Sequence, residues 1–228
     1  METKKDGSKI LFVTCVNDES LYAQCERHIK ALRVPAGFKM HVGQLREVPG
    51  MTQAYNAAIA GSDAKYKVYL HQDTFIINPN FLYDILRIFM SHPDVGLIGV
   101  AGCRELPPSG IWWEGKSLLG KLIEHRSTYS VLKFSDPEPP FSPAKAVDGL
   151  LMATQYDLPW RDDILSGFHF YDSSQSLEFI RAGYKVAVPA QAEPWCLHYC
   201  GKMESAAGYY AYRKVFLDNY KEFIPSGS

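Results

Sequence analysis

The chain has 228 residues, 46% hydrophobic and 21% charged, with a formal net charge of -1, the profile of a globular chain long enough to bury a core. A near-neutral chain sets up no global field for nucleic acid or anionic membrane, and no run of about 18 apolar residues is present to span a bilayer. The polar stretch Met1 to Ser8 lacks the apolar segment of a signal peptide, and five cysteines suit reduced thiols, so the expected location is the cytoplasm.

Lys9 to Val16 is a continuous apolar run with β-branched residues, the mark of a buried strand. Asn17-Asp18-Glu19-Ser20 then offers cap chemistry to an amphipathic helix with Leu21, Cys25, Ile29 and Leu32 inward, ending before Pro35. A second strand is expected over Phe38 to Val48, and an Ala-rich helix over Met51 to Ala60. Then come a short buried strand, Val68-Tyr69-Leu70, a helix over Asn80 to His92 and a strand over Val95 to Ala101. This alternation predicts βαβ units in an α/β fold with a mostly parallel central sheet.

From 103 to 145 the periodicity fades, and prolines at 107, 108, 137, 139, 140 and 143 predict an irregular excursion carrying Trp112 and Trp113. Order returns with a strand over Ala146 to Ala153, a helix over Asp172 to Ala182 and a strand over Tyr184 to Val188. An aromatic amphipathic helix is predicted over Met203 to Ile224, packed on the core. No repeat or linker interrupts the chain, so one domain over 1–228 is expected, with a polar tail at 1–8.

Several residues carry candidate chemistry. His71-Gln72-Asp73 follows the short buried strand directly, and ligands of open α/β sheets bind at the carboxyl ends of strands. Asp73 is therefore either a fixed anion able to hold a divalent cation against a phosphate or a cap for the next turn. Asp172 opens a helix and reads as a cap or as a general base. His198, in Cys196-x-His198-x-Cys200, is a nitrogen ligand, a phosphate donor or a packed side chain; no second Cys/His pair at zinc-finger spacing supports structural zinc. Gly110 to Ser117 fits the phosphate-loop formula but follows no strand and holds two tryptophans and a glutamate where phosphate would sit.

Taken together, these pieces resemble the family 2 glycosyltransferases. Val13 to Glu19 looks like their first strand and its Asn-x-Glu ending. Ala54-x-Asn56 followed by His71-Gln72-Asp73 is similar to their Ala-x-Asn and Asp-x-Asp segment. Phe170-Tyr171-Asp172 running to Arg181-Ala182-Gly183-Tyr184 resembles their Glu-Asp helix. The likeness covers residues 9 to 200, and His71 and Tyr171 stand where the family carries Asp and Glu.

The resemblance implies a GT-A fold and transfer of a sugar, of hexosyl type and with inversion, from a nucleotide-diphosphate donor to an acceptor hydroxyl. Asp73 and His198 would hold Mn²⁺ or Mg²⁺. Cys15, Asn17, Glu19, Asn56, His71 and Gln72 would line the donor pocket, with Asp148 and Gly149 near the donor sugar. Asp172 would be the base, and Trp112 and Trp113 would stack on the acceptor. Carbohydrate or lipid-linked acceptors are common in this family, which is compatible with polysaccharide biosynthesis at the inner face of a membrane. The alternative is a catalytically silent nucleotide-sugar-binding protein.

Overall fold

The alternation expected for the first hundred residues holds. In the computed structural model, which describes residues 4–200 and 208–225, β1 (Asp6–Val16), β2 (Lys39–Arg46) and β3 (Ala64–Leu70) are separated by α1 (Glu19–Lys30) and α2 (Met51–Ala60). Next come β4 (Thr74–Ile76), α3 (Phe81–Ser91), β5 (Val95–Gly99) and β6 (Ala101–Cys103). The polar tail is shorter than expected, because Asp6 already pairs with Ala64 across β1 and β3.

The expected irregular excursion contains an antiparallel hairpin, β7 (Leu118–His125) and β8 (Tyr129–Lys133). Its prolines lie at the two ends of the segment and leave 109 to 136 free of them, so every backbone N–H a ladder needs is available there. After it come β9 (Phe141–Ala144), β10 (Ala146–Val147), β11 (Leu151–Thr154), α4 (Tyr171–Arg181), β12 (Lys185–Pro189), β13 (Cys196–His198) and α5 (Tyr209–Asn219). The single strand expected over Ala146 to Ala153 is thus two, broken at Asp148-Gly149-Leu150. α5 occupies the middle of the expected C-terminal helix; residues 203–207 of that helix lie outside the described residues.

Seven strands form the main sheet in the order β2-β1-β3-β11-β5-β12-β9. β2, β1, β3, β5 and β12 point one way, while β11 runs against β3 and β5, and β9 against β12. A smaller sheet has the order β10-β6-β7-β13-β4, with β8 on the outside of β7. The strand period of two decides which helix meets which face. Phe12, Val68 and Leu70 face the α1 and α3 side, against Tyr22, Cys25, Ile29 and Ile85. Val13 and Tyr69 face the α2 side, against Met51, Ala54 and Tyr55. In α1 the buried ridge starts at Tyr22, and Leu21 is only partly covered.

Candidate active site

β1 and β3 are parallel neighbours, so the residues that follow Val16 and Leu70 emerge side by side. Gln72 ties them together. Its side-chain oxygen accepts the backbone N–H groups of Asn17 and Asp18 at 2.9 Å each, and its amide donates to the Asn17 side chain. Asp18 caps α1 as expected, accepting from the N–H groups of Ser20 (2.9 Å) and Leu21 (3.0 Å). A tight turn, closed by the Thr74 N–H donating to the His71 carbonyl at 3.1 Å, presents Asp73 at the mouth.

The pairing of β13 with β4 brings in the late histidine, since His198 lies opposite Thr74. His198 Nε2 stands 3.5 Å, and His71 Nδ1 3.9 Å, from the same Asp73 oxygen. Among the described residues these three side chains form the one group able to converge on a cation, with donor atoms within 4.8 Å of one another. That Asp73 oxygen is buried without a hydrogen-bond partner. Two imidazoles and an unpartnered carboxylate oxygen fit a divalent cation.

The charges of Asp73 and His71 are consistent with that fit, whereas His198 would have to release a proton to bind an ion. Burial pushes the Asp73 carboxyl up, but the His198 and His71 rings outweigh it and hold it below the usual range. Burial likewise opposes charge on His198, yet the Asp73 carboxylate and the Cys200 thiol raise it to about 10. For His71, burial dominates and lowers the value. Each imidazole is also engaged at its far nitrogen, His71 Nε2 by the Tyr171 hydroxyl at 2.5 Å and His198 Nδ1 by the Cys200 sulfur at 3.3 Å.

Two cavities meet at this point. The larger, about 370 Å³, is lined by the expected Cys15, Asn17, His71, Gln72 and Asp73, a volume that holds a small-molecule ligand. Glu47, Val48 and Met51 form its far wall. The smaller, about 110 Å³, is lined by Trp112, Trp113, Asp148, Gly149 and Asp172. His71, Phe168 and Tyr171 belong to both. Asp73 and His198 therefore come together as expected, while Asp172 lies in the adjoining space, beyond Tyr171.

Four residues expected on the donor side do not line the larger cavity. Glu19 lines neither cavity; it is exposed and pairs with Arg46 through two contacts of 2.7 and 3.0 Å. Asn56 is turned away, its amide clamping the Trp160 backbone at 2.9 Å (donating to the carbonyl) and 2.8 Å (accepting from the N–H). Asp148 and Gly149 line the smaller cavity rather than the larger. Gly149 is needed for room: a Cβ there would stand 2.3 Å from the Tyr171 hydroxyl oxygen.

Asp172 is not the helix cap. That position belongs to Phe170, whose φ of 60° is left-handed. The Asp172 oxygens accept the N–H groups of Gly149 (3.0 Å) and Ser173 (2.8 Å). Burial, reinforced by the charge of Asp148, pushes its carboxyl up to about 7. The tryptophans differ: Trp112 is 5% exposed and packs inward, whereas Trp113 is 51% exposed at the rim.

Gly110 to Ser117 makes a single 3₁₀ turn over Trp112–Glu114 and runs into a strand, without the helix a phosphate loop requires. All five cysteines are free thiols. Phe168 had no expected role and Tyr171 only the position of the family's Glu, yet both line the smaller cavity with Asp172.

No curated protein matches the chain. Among solved structures it is similar to the mannosyltransferase PcManGT from Pyrobaculum calidifontis in complex with GDP-Man and Mn²⁺, at 14% identity, TM-score 0.53, over 97% of this chain and 65% of that one. It is also similar to S. aureus TarS 1-349 in complex with UDP, at 10% identity, TM-score 0.55, over 92% of this chain and 64% of that one. The chain thus spans just under two thirds of the length of these structures. Their likeness shows the fold, a GT-A type α/β arrangement. Residues 11–220 match the glycosyltransferase-like family, and the chain belongs to it.

Proposed function

We propose that this chain transfers a hexosyl group from a nucleotide-diphosphate sugar to an acceptor hydroxyl with inversion. One observation carries the reading: the larger cavity, edged by the His71, Asp73 and His198 cluster, opens past a shared wall onto a smaller one holding a carboxyl of raised pKa. Among the described residues neither cavity is lined by Lys or Arg, which supports a bound cation as a balance for the charge of a diphosphate. The similar structures hold GDP-Man with Mn²⁺ and UDP, which supports a nucleotide sugar in the larger cavity.

Asp73, His71 and His198 would hold the divalent cation, Mn²⁺ or Mg²⁺. Bound there, it would neutralise charge growing on the departing diphosphate. Asn17 and Gln72, locked to each other, present a fixed polar edge to the nucleotide. Asp172, across the shared wall, accepts the proton of the acceptor hydroxyl, and attack from that side inverts the anomeric centre. Trp113 offers an exposed ring face at the acceptor entrance. Among the described residues no helix is long and apolar enough to cross a membrane. A lipid-linked acceptor would be met as a peripheral contact, which we place at the cytoplasmic face.

A donor-binding protein without turnover is the second reading. It is favoured by the two backbone N–H groups that already occupy the Asp172 oxygens. A panel of nucleotide sugars, with and without Mn²⁺ and simple glycoside acceptors, separates the two. Transfer or donor hydrolysis is expected; saturable donor binding with no consumption would replace transfer by storage.

A further inference from the structure

We infer that the His71–Tyr171 pair makes this an imidazole-weighted cation site, tuned away from Mg²⁺ and toward borderline transition ions such as Co²⁺ or Zn²⁺. The inference deepens the proposed function, resting on its placement of a cation at this cluster. The two positions at which the chain departs from the family pattern are not independent. They touch, with the Tyr171 hydroxyl 2.5 Å from His71 Nε2.

That contact gives the two ring nitrogens different neighbours. With Nε2 engaged by the phenol, Nδ1 is the nitrogen left facing the Asp73 oxygen, 3.9 Å away. A metal-bound imidazole needs such a partner on its other nitrogen to fix its tautomer and aim its lone pair. The Cys200 sulfur, 3.3 Å from His198 Nδ1, does the same for the second ring, whose Nε2 stands 3.5 Å from Asp73. The donor set is therefore two imidazoles to one carboxylate. Imidazole suits zinc, copper, iron and nickel, whereas carboxylates and water suit magnesium and manganese.

The surroundings preserve the pair. Tyr171 is 4% exposed and sits among Tyr55, Tyr69 and Trp160, so its ring has little freedom to swing the hydroxyl elsewhere. Gly149 leaves the space that hydroxyl fills. Tyr171 is thus a positioning residue, acting on the cation through His71.

The test is titration of the metal-free full chain with Co²⁺, read by its visible absorption, with Mg²⁺ as competitor. Late ions gain affinity at nearly any nitrogen or oxygen site, so the deciding quantity is the change in the Co²⁺-to-Mg²⁺ affinity ratio on substitution. His71→Asp is expected to lower that ratio about tenfold or more. An unchanged ratio overturns the inference. Tyr171→Phe, which keeps the ring, is expected to weaken Co²⁺ binding about 10- to 100-fold while far-UV circular dichroism shows an intact fold; full Co²⁺ affinity in that variant removes Tyr171 from the account. If Co²⁺ binds as expected but no nucleotide sugar is consumed, the cation inference stands and the transfer reading falls.

Discussion

The two cavities share a wall but are built of opposite materials. The larger is edged by hydrogen-bonded polar groups, with Gln72 clamped to Asn17 and Asp18 and the Asp73 turn closed on itself. The smaller is walled by aromatic rings around two carboxyls, Asp148 and Asp172. The first arrangement holds an anion in place, provided a cation balances it. The second repels negative charge and raises a carboxyl's affinity for a proton. A site that must stabilise a leaving diphosphate on one side and deprotonate a neutral hydroxyl on the other needs that asymmetry.

The widest gap should appear on Asp172→Asn, expected to cut transfer by about 10²–10⁴ with donor affinity unchanged; isothermal titration beside a turnover assay checks both. Equal loss of binding and turnover would merge the two cavities into one function. Asn56→Ala should leave both cavities alone, since its amide serves the Trp160 backbone. The expected cost is about 1–3 kcal/mol of stability, measured by chemical denaturation, with the Michaelis constant for donor unmoved.

Acidity gives the next contrast. Asp172 must be ionised to accept a proton, and burial with Asp148 holds its carboxyl near 7. Tyr55, Cys103, Tyr171 and Tyr209 also face it with groups that stay neutral in that range. Acceptor kcat/KM should therefore rise about tenfold per pH unit up to about 7 and then level. Asp148→Asn should move the bend to lower pH. Smallest is Trp113→Ala, expected to raise the acceptor KM by a factor consistent with about 0.5–1.5 kcal/mol of lost ring contact. Steady-state kinetics with donor saturating reads it, and an equal change in donor KM would place Trp113 on the wrong side.

The donor side was the more legible part of the sequence. A buried strand ending in His71-Gln72-Asp73 leaves few places for those side chains to go, and residue type alone confines the cap of α1 to the stretch Asn17 to Ser20, within which the structure selects Asp18. Asn56 was not legible, because the same amide at the same spacing serves a ligand or a neighbouring backbone equally well. The β7–β8 hairpin was hidden by prolines that mark its borders, not its interior. Tyr171 was hidden for another reason: its role depends on a contact with His71 across a hundred positions, and helical periodicity reports only that it is buried.

The left-handed Phe170 at the head of α4 carries a further consequence. A bulky residue in that conformation costs about 1–2 kcal/mol and persists only if its surroundings demand it. Here the Phe170 ring lies 4.9 Å from Tyr209 and 5.2 Å from Phe216, both on α5. The bend that sets up Tyr171 and Asp172 is thus underwritten by a helix much later in the chain. A nascent chain stalled before Tyr209 should therefore already hold its main sheet yet leave the Tyr171 and Asp172 side chains unplaced.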